Sequence, residues 1–408
     1  MSEVATAGPE PLIRPPKLDV GRKGGASPLE LFFDLAYVLV VLELAKDFYG
    51  DLTWHGFLVM AGLFVTIWFS WVGFTLYANR FNTDDVIYRL TKLAATGAIA
   101  GCGASASDAV GKYAVQFAAC FLIGRVLLLA LYFRAWRHVS EARPTIRVYL
   151  LSTGVSVVLW AVSLGVPGDG RYWLWGAAVL VDALGPVLAT IRRDRLPLHI
   201  EHLPERFGLL IILVLGEALG GAARGVHDAS WAGRSLAIGL VGLVVASSLW
   251  WIYFDVASAK STQRLEQAAE DDEGAGDAPT SEPESPASDE RHTMFVYGHL
   301  PLAFGTVMIG VSLEDFTVHV DTAGDWVLAA GLSIFFAGVA LIVAGTSRTW
   351  RSVWPWPLAF IPAFVVAPLL PFPNAISLIA TYAIALLALA VHGTLASRQS
   401  QNALSASR

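Results

Sequence analysis

The stretch from Pro28 to Glu43, PLELFFDLAYVLVVLE, constrains this chain most, because it is apolar enough to enter a bilayer and yet carries three carboxylates. An Asp in the centre of a membrane helix costs roughly 2.5–3.5 kcal/mol on insertion scales, so it persists where it faces protein or water. The later stretch from Pro204 to Glu217 has the same order of residue types, namely a proline, an early acid, an apolar run and a second acid. These two helices are predicted to head two similar halves of a polytopic membrane protein.

The composition supports a membrane protein. Hydrophobic residues make up 55% of the 408 residues and charged residues 15%, whereas a soluble domain averages about 25% charged residues. The two cysteines, Cys102 and Cys120, lie in apolar stretches and offer no disulfide framework. The polar, proline-rich N-terminus lacks the pattern of a removable signal peptide, so none is expected.

About 20 mostly apolar residues span a bilayer, and the sequence offers twelve such runs. The positive charges support this count, because most of the 28 Lys and Arg residues fall on one side of the predicted topology, as cytoplasmic segments require. We therefore predict an all-α polytopic membrane helix bundle with about 12 transmembrane helices and both termini in the cytoplasm. The predicted spans are residues 29–47, 55–77, 89–108, 113–134, 147–166, 172–191, 205–223, 235–257, 293–314, 325–346, 352–371 and 375–396.

The predicted spans divide into two sets of six, which would give both halves the same orientation and make the repeat parallel. The segment 257–291 holds ten acidic residues and few apolar ones, a composition that predicts a disordered cytoplasmic insertion. The predicted organisation is a cytoplasmic N-tail (1–28), a first six-helix half (29–191), a second six-helix half (205–396) that contains the insertion, and a cytoplasmic C-tail (397–408).

Five polar residues are predicted at membrane depth, where charges pair with one another. Arg125 is expected to pair with Asp182 or Glu217, either as a structural ion pair or as part of a proton or cation site. The spacing of Gly216 and Gly220 allows close helix approach, so Glu217 is expected to face another helix. His299 is a proton carrier or a hydrogen-bonded packing residue. The candidates for a polar path are Asp34, Arg125, Asp182, Glu217 and His299.

A second set of charged residues lies near the cytoplasmic ends of the predicted spans. Glu30 caps the first helix or takes part in function, and the turn YANRFNTDD is a solvated loop or a salt-bridge cluster that joins the halves. The members of this inner-face set are Glu30, Asn79, Arg80, Asp84, Asp85, Glu205 and Arg206. His199 and His202 lack a matching ligand cluster, so we predict no metal site and no cofactor.

Five separated motifs resemble the bacterial low temperature requirement protein A family. They are ELFFDLAYVLVV (30–41), YANRFNTDD (77–85), HLPERFGLLIILVLGEALGG (202–221), WWIYFD (250–255) and YGHLPL (297–302). The resemblance runs from about residue 24 to residue 396. It implies a multi-pass protein of the bacterial inner membrane that is linked by name to growth in the cold, and it transfers no catalytic residue.

The leading functional hypothesis is a transporter or channel for protons, cations or a small solute, with its polar path between the two halves. The alternatives are a membrane-embedded enzyme that acts on lipid, for which the inner-face acids would have to cluster, and a non-catalytic scaffold or sensor. The expected partners are the lipid bilayer and an ion or small solute, with no nucleic acid, and homo-oligomerisation is left open.

Overall fold

The computed structural model describes residues 11–18, 27–82, 84–191, 203–258, 286–319, 324–346 and 357–406. The described residues form twelve α-helices and one pair of two-residue antiparallel strands, β1 (Lys17–Leu18) and β2 (Phe81–Asn82). The helices are α1 (Pro28–Gly50), α2 (Trp54–Arg80), α3 (Val86–Ala104), α4 (Ala114–His138), α5 (Arg143–Gly165), α6 (Gly170–Ile191), α7 (Leu203–Asp228), α8 (Gly233–Trp251), α9 (Pro286–Val318), α10 (Gly324–Thr346), α11 (Pro357–Val366) and α12 (Ala375–Ala406).

Each predicted span corresponds to one of these helices, although their edges differ. Nine of the helices in the described residues are long and apolar enough to cross a membrane. The other three are α1, which carries several charges, α3, which contains Arg89 and Lys92, and α11, which has ten residues. The all-α fold class is confirmed, and α9 starts at Pro286, inside the segment predicted as a disordered insertion. Residues 259–285 of that insertion lie outside the described residues.

The outward faces of the helices are apolar, as a lipid-facing surface requires. On α5 the exposed side chains Leu151, Val155, Val158 and Val162 follow helical spacing and form one stripe. Polar residues of the same helix, such as Ser156, are buried instead. An exposed apolar stripe with a polar interior is unfavourable in water and suits a bilayer.

The chain divides into two compact units. Unit 1 comprises Met1–Tyr37, Phe69–Ser105 and Ala109–His199, and unit 2 comprises Val38–Trp68, Ala106–Asp108 and Ile200–Arg408. In unit 1 the helices α3, α4, α5 and α6 pack in chain order, each against the next. In unit 2 the helix α9 packs against α7, α8 and α10.

Glycines bring the helices of unit 2 into close contact. A Cβ added at Gly310 of α9 would lie 2.9 Å from the Cα of Ala218 on α7, and a Cβ added at Gly221 would lie 2.6 Å from the carbonyl oxygen of Gly310. On the opposite side of α9, a Cβ at Gly305 would meet the carbonyl oxygen of Gly331 on α10 at 2.5 Å. The backbone of α9 therefore packs closely against α7 on one side and α10 on the other, as small residues allow between membrane helices.

The glycine pair that packs α7 differs from the predicted one. The space beside Gly216 is open to 4 Å, whereas Gly221 and Gly225 both face α9. Gly221 lies four residues after Glu217, so the two share one helix face. The expectation that Glu217 faces another helix is confirmed, but Gly221 and Gly225 make the close approach, because the spacing Gly-xxx-Gly occurs on two faces of this helix.

We expect Gly310→Ala to lower the thermal unfolding midpoint of the detergent-purified protein, because overpacking a tight contact costs about 1–3 kcal/mol. Gly216→Ala is the matched control. Its Cβ would enter open space, and Ala is favoured over Gly in a helix by roughly 0.5–1 kcal/mol, so this variant is expected to be unchanged or more stable. Equal midpoints for the two variants would contradict the close approach of α7 and α9.

Candidate functional site

Two buried glutamates of unit 2 share one arginine. Arg224 Nη2 donates to Glu217 Oε1 at 2.6 Å and to Glu314 Oε2 at 2.7 Å, and Arg224 Nε donates to the same Glu314 oxygen at 3.1 Å. The side chains of Glu217 and Glu314 are 2% and 9% exposed, whereas that of Arg224 is 44% exposed. The cluster therefore has a buried acidic side and a guanidinium that reaches the surface.

The helices explain how this cluster is assembled. Glu217 and Arg224 are seven residues apart on α7, which is close to two helical turns and places both on one face. Glu314 comes from α9, and a Cβ at Gly221 would lie 3.4 Å from its Oε2. Because Gly221 has no side chain, α9 can approach α7 closely, since a Cβ there would lie 2.6 Å from the carbonyl oxygen of Gly310.

A second acid follows Glu314 directly. Asp315 is 4% exposed. Its Oδ1 lies 2.8 Å from Nδ1 of His319, four residues later in the chain. Its other oxygen, Oδ2, is buried and has no hydrogen-bond partner among the described residues. Asp315 therefore retains an unused acceptor near the end of α9.

His299 lies fully buried in the middle of unit 2. Its Nδ1 is 2.7 Å from the carbonyl oxygen of Phe295, and its Nε2 is 2.9 Å from the hydroxyl of Tyr253. A carbonyl only accepts, so Nδ1 carries the proton, and in the neutral ring Nε2 accepts from Tyr253. These contacts match the packing alternative for His299.

The polar path residues of unit 1 form two groups. Asp34 is 1% exposed, and its Oδ1 accepts a hydrogen bond from Trp71 Nε1 at 2.7 Å. Arg125 Nη2 donates to Asp182 Oδ1, and Ser156 Oγ donates to Asp182 Oδ2 at 2.8 Å. Of the two partners expected for Arg125, Asp182 and Glu217, the structure shows Asp182, and Ser156 was not among the predicted residues.

Lys92 of α3 is a buried cation of unit 1. It is fully buried, and its Nζ lies 3.3 Å from the centroid of the Phe33 ring and 5.1 Å from that of Phe74. Aromatic faces stabilise a cation, and the stabilisation grows when water is excluded. The neighbouring positions of Phe33 and Asp34 in α1 place this cation in the same part of unit 1 as the buried carboxylate.

Asp85 is the centre of the inner-face residues. It caps α3 by accepting from the backbone N–H of Tyr88, and Arg134 of α4 donates to both of its oxygens at 3.0 and 2.6 Å. Arg14 joins this network through its backbone N–H, at 3.3 Å from Oδ2, and through its carbonyl oxygen, which accepts from Arg134. Burial raises the pKa of the Asp85 carboxyl, and the hydrogen bonds from Arg134, Tyr88 and Arg14 outweigh burial and lower it below its ordinary value.

The other inner-face residues have separate environments. Asp84 pairs with Arg89 through two hydrogen bonds at the surface, and the guanidinium of Arg80 lies 4.9 Å above the ring of Tyr149. Glu30 and Ser27 cap the start of α1 reciprocally, as the capping alternative predicts. The remaining members are Asn79 and Arg206, which are buried, and Glu205, which is exposed in the first turn of α7.

Sequence reasoning missed four contributors to these clusters. Arg224 follows the predicted span 205–223 and Glu314 is the last residue of the predicted span 293–314, so neither was among the candidates at membrane depth, although Arg224 lies seven residues after Glu217. Arg134 and Ser156 carried no signal that separated them from neighbouring arginines and serines. Among the described residues, no group of three His, Cys, Asp or Glu side chains is arranged to hold a metal ion, and His199 and His202 lie outside the described residues.

The fold and the buried charges define a multi-pass membrane protein with a polar interior. Residues 25–391 match the family described as bacterial low temperature requirement A protein (LtrA), and the chain belongs to this family. It is similar to an uncharacterized protein of Rhizobium meliloti (strain 1021), with 27% identity over 398 residues that cover 90% of this chain and 88% of the relative. No solved structure matches the chain.

We expect Arg125→Met to destabilise the protein by about 3–5 kcal/mol, because it leaves the Asp182 carboxylate buried without its cation. The double variant Arg125→Met/Asp182→Leu is expected to recover most of this loss, since replacing both ions with apolar groups removes the unpaired charge. Unfolding in a titrated denaturing detergent measures both free energies. A double variant as unstable as the single one would show that Arg125 and Asp182 do not act as a pair.

Proposed function

We propose that this LtrA-family protein is a membrane transporter or channel in which protons or cations pass the cluster of Glu217, Glu314 and Arg224. The observation that carries the proposal is that one arginine serves two buried glutamates. A single guanidinium balances one carboxylate. The second negative charge at membrane depth requires a proton or a cation, because an uncompensated charge there is costly.

The charges around this cluster favour a positively charged substrate over an uncharged one. Among the residues of unit 2 that the structure describes, the buried acids are Glu217, Glu314 and Asp315, and the buried arginine is Arg206. Buried carboxylates therefore outnumber buried guanidiniums, and Arg224, which is 44% exposed, pairs with two of these carboxylates. Asp315 adds a buried oxygen without a hydrogen-bond partner among the described residues. An uncharged solute would leave this excess negative charge unbalanced.

The proposed topology has twelve spans, a parallel repeat of six helices, both termini in the cytoplasm and a place in the bacterial inner membrane. In this topology α7 runs from the cytoplasmic side outward, so Glu205 lies inside and Arg224 near the outer surface. The partial exposure of Arg224 would then connect the cluster with the outer solution. The roles of Asp34, Arg125, Asp182 and His299 in transport stay predictions of the sequence.

Reconstitution into proteoliposomes tests the proposal. A proton gradient or a gradient of Na⁺ or K⁺ is imposed, and the flux is followed with a dye inside the vesicles. We expect the wild-type protein to carry flux of at least one of these ions. Glu217→Gln and Glu314→Gln are each expected to reduce that flux to the level of protein-free vesicles, because each removes the charge that attracts the ion and keeps the side chain's size.

Glu141→Gln is the matched control, because Glu141 is exposed in the short connection between α4 and α5. Its flux is expected to equal that of the wild-type protein at the same reconstitution level. The proposal fails if the wild-type protein carries none of the tested ions, or if the variant with both Glu217→Gln and Glu314→Gln transports them as the control does.

A further inference from the structure

Unit 1 contains a small pocket beside the Arg125–Asp182 pair. Its volume is ≈ 20 Å³, which is enough for about one water-sized particle. The lining includes Gly73 of α2, Tyr132 of α4 and Tyr149 of α5, in addition to Arg125 and Asp182. All of its lining residues belong to unit 1, so the pocket is separate from the glutamate cluster of unit 2.

Beside this pocket lie hydrogen-bond donors of Arg125 that have no acceptor among the described residues. Arg125 is 3% exposed, and its Nε and Nη1 have no hydrogen-bond partner among the described residues. A Cβ added at Gly73 would lie 3.5 Å from that Nη1, so the guanidinium points toward the pocket wall at Gly73. Buried guanidinium N–H groups without an acceptor are costly, and each calls for a partner.

A second arginine lies behind the pocket wall. Arg80 is 7% exposed, its guanidinium interacts with the hydroxyls of Tyr132 and Tyr149, and its Nε and Nη1 likewise have no hydrogen-bond partner among the described residues. Tyr132 and Tyr149 stack on each other with ring centroids 5.1 Å apart. The two tyrosines therefore connect the Arg80 guanidinium to the pocket that Arg125 lines.

The buried charges of unit 1 leave a positive excess. In the described part of this unit the buried carboxylates are Asp34, Asp85 and Asp182, and the buried cations are Arg80, Lys92 and Arg125. Asp85 is already paired with Arg134, whose side chain is 14% exposed. Counting Arg134, cations exceed carboxylates by one, and the unpaired donors belong to Arg80 and Arg125.

We propose that the pocket beside Arg125 binds one small monovalent anion of halide size, held by the free N–H groups of Arg125 with support from the positive charge of Arg80. The acceptor completes the hydrogen bonds of Arg125, and its charge balances the excess cation. The pocket volume excludes larger oxyanions and organic acids. This inference does not rest on ion flux through unit 2, since its residues lie wholly in unit 1.

Chloride is the probe for the experiment. The full-length protein is purified in detergent with gluconate as the anion, and chloride replaces gluconate at constant ionic strength. We expect a saturable rise in the thermal unfolding midpoint of about 1–2 °C at a chloride concentration ten times the dissociation constant. Broadening of the chloride-35 nuclear magnetic resonance line reports binding independently of stability.

Two variants and a control locate the site. Gly73→Ala places a methyl group beside Arg125 Nη1 and is expected to abolish the chloride response, and Arg80→Gln is expected to weaken chloride binding at least tenfold. Arg143→Gln removes an exposed arginine of the α5 start and is expected to respond as the wild-type protein does. Gel filtration shows whether each variant is folded. If only one of Gly73→Ala and Arg80→Gln is folded, its chloride response is sufficient to test the proposal.

Two results would overturn the proposal. A wild-type protein without any chloride-dependent midpoint or line broadening would show that the pocket holds water only. An equal chloride response in the wild-type protein, Gly73→Ala and Arg80→Gln would place chloride binding elsewhere.

Discussion

The cost of burying a charge at membrane depth governs this structure. Arginine is the cation that relieves this cost most often here, because its fork of N–H groups serves a carboxylate with directed hydrogen bonds. Arg125 pairs with Asp182 in unit 1, Arg134 pairs with Asp85 at the start of α3, and Arg224 pairs with Glu217 and Glu314 in unit 2. Each pairing joins different helices or distant turns, so each also fixes the positions of those helices.

The two units differ in the charge that remains after pairing. In unit 1 Arg80 and Arg125 have buried N–H groups without a hydrogen-bond partner among the described residues, and in unit 2 buried carboxylates outnumber buried guanidiniums among the described residues. A positive excess favours an anion and a negative excess favours a cation. We therefore propose a halide-sized anion for unit 1 and a proton or cation for unit 2. Tight helix contacts at Gly310 and Gly221 hold α7 and α9 together beside the acidic cluster of unit 2.

Hydrophobic run length and basic-residue placement predicted where the helices lie, because both depend on local composition. Pairing of Arg125 with a carboxylate was also predictable, since few charges lie mid-helix and each needs a partner, but the sequence left Asp182 and Glu217 open as that partner. The partner of Glu217 was not, because Glu314 comes from a helix almost a hundred residues later and its approach depends on the missing side chain at Gly221. The sequence likewise could not show which of two glycine pairs on α7 faces α9, or that Arg14 contacts Asp85, since both depend on tertiary contacts.

The most direct test of the excess negative charge in unit 2 is infrared difference spectroscopy of the purified protein in lipid, recorded while pH, Na⁺ or K⁺ is changed. The account predicts a carboxyl or carboxylate band that responds to at least one of these ions and that is lost in both Glu217→Gln and Glu314→Gln. A spectrum whose responsive bands are the same in the wild-type protein and both variants would contradict it, because the shared arginine would then leave no charge for an ion to balance.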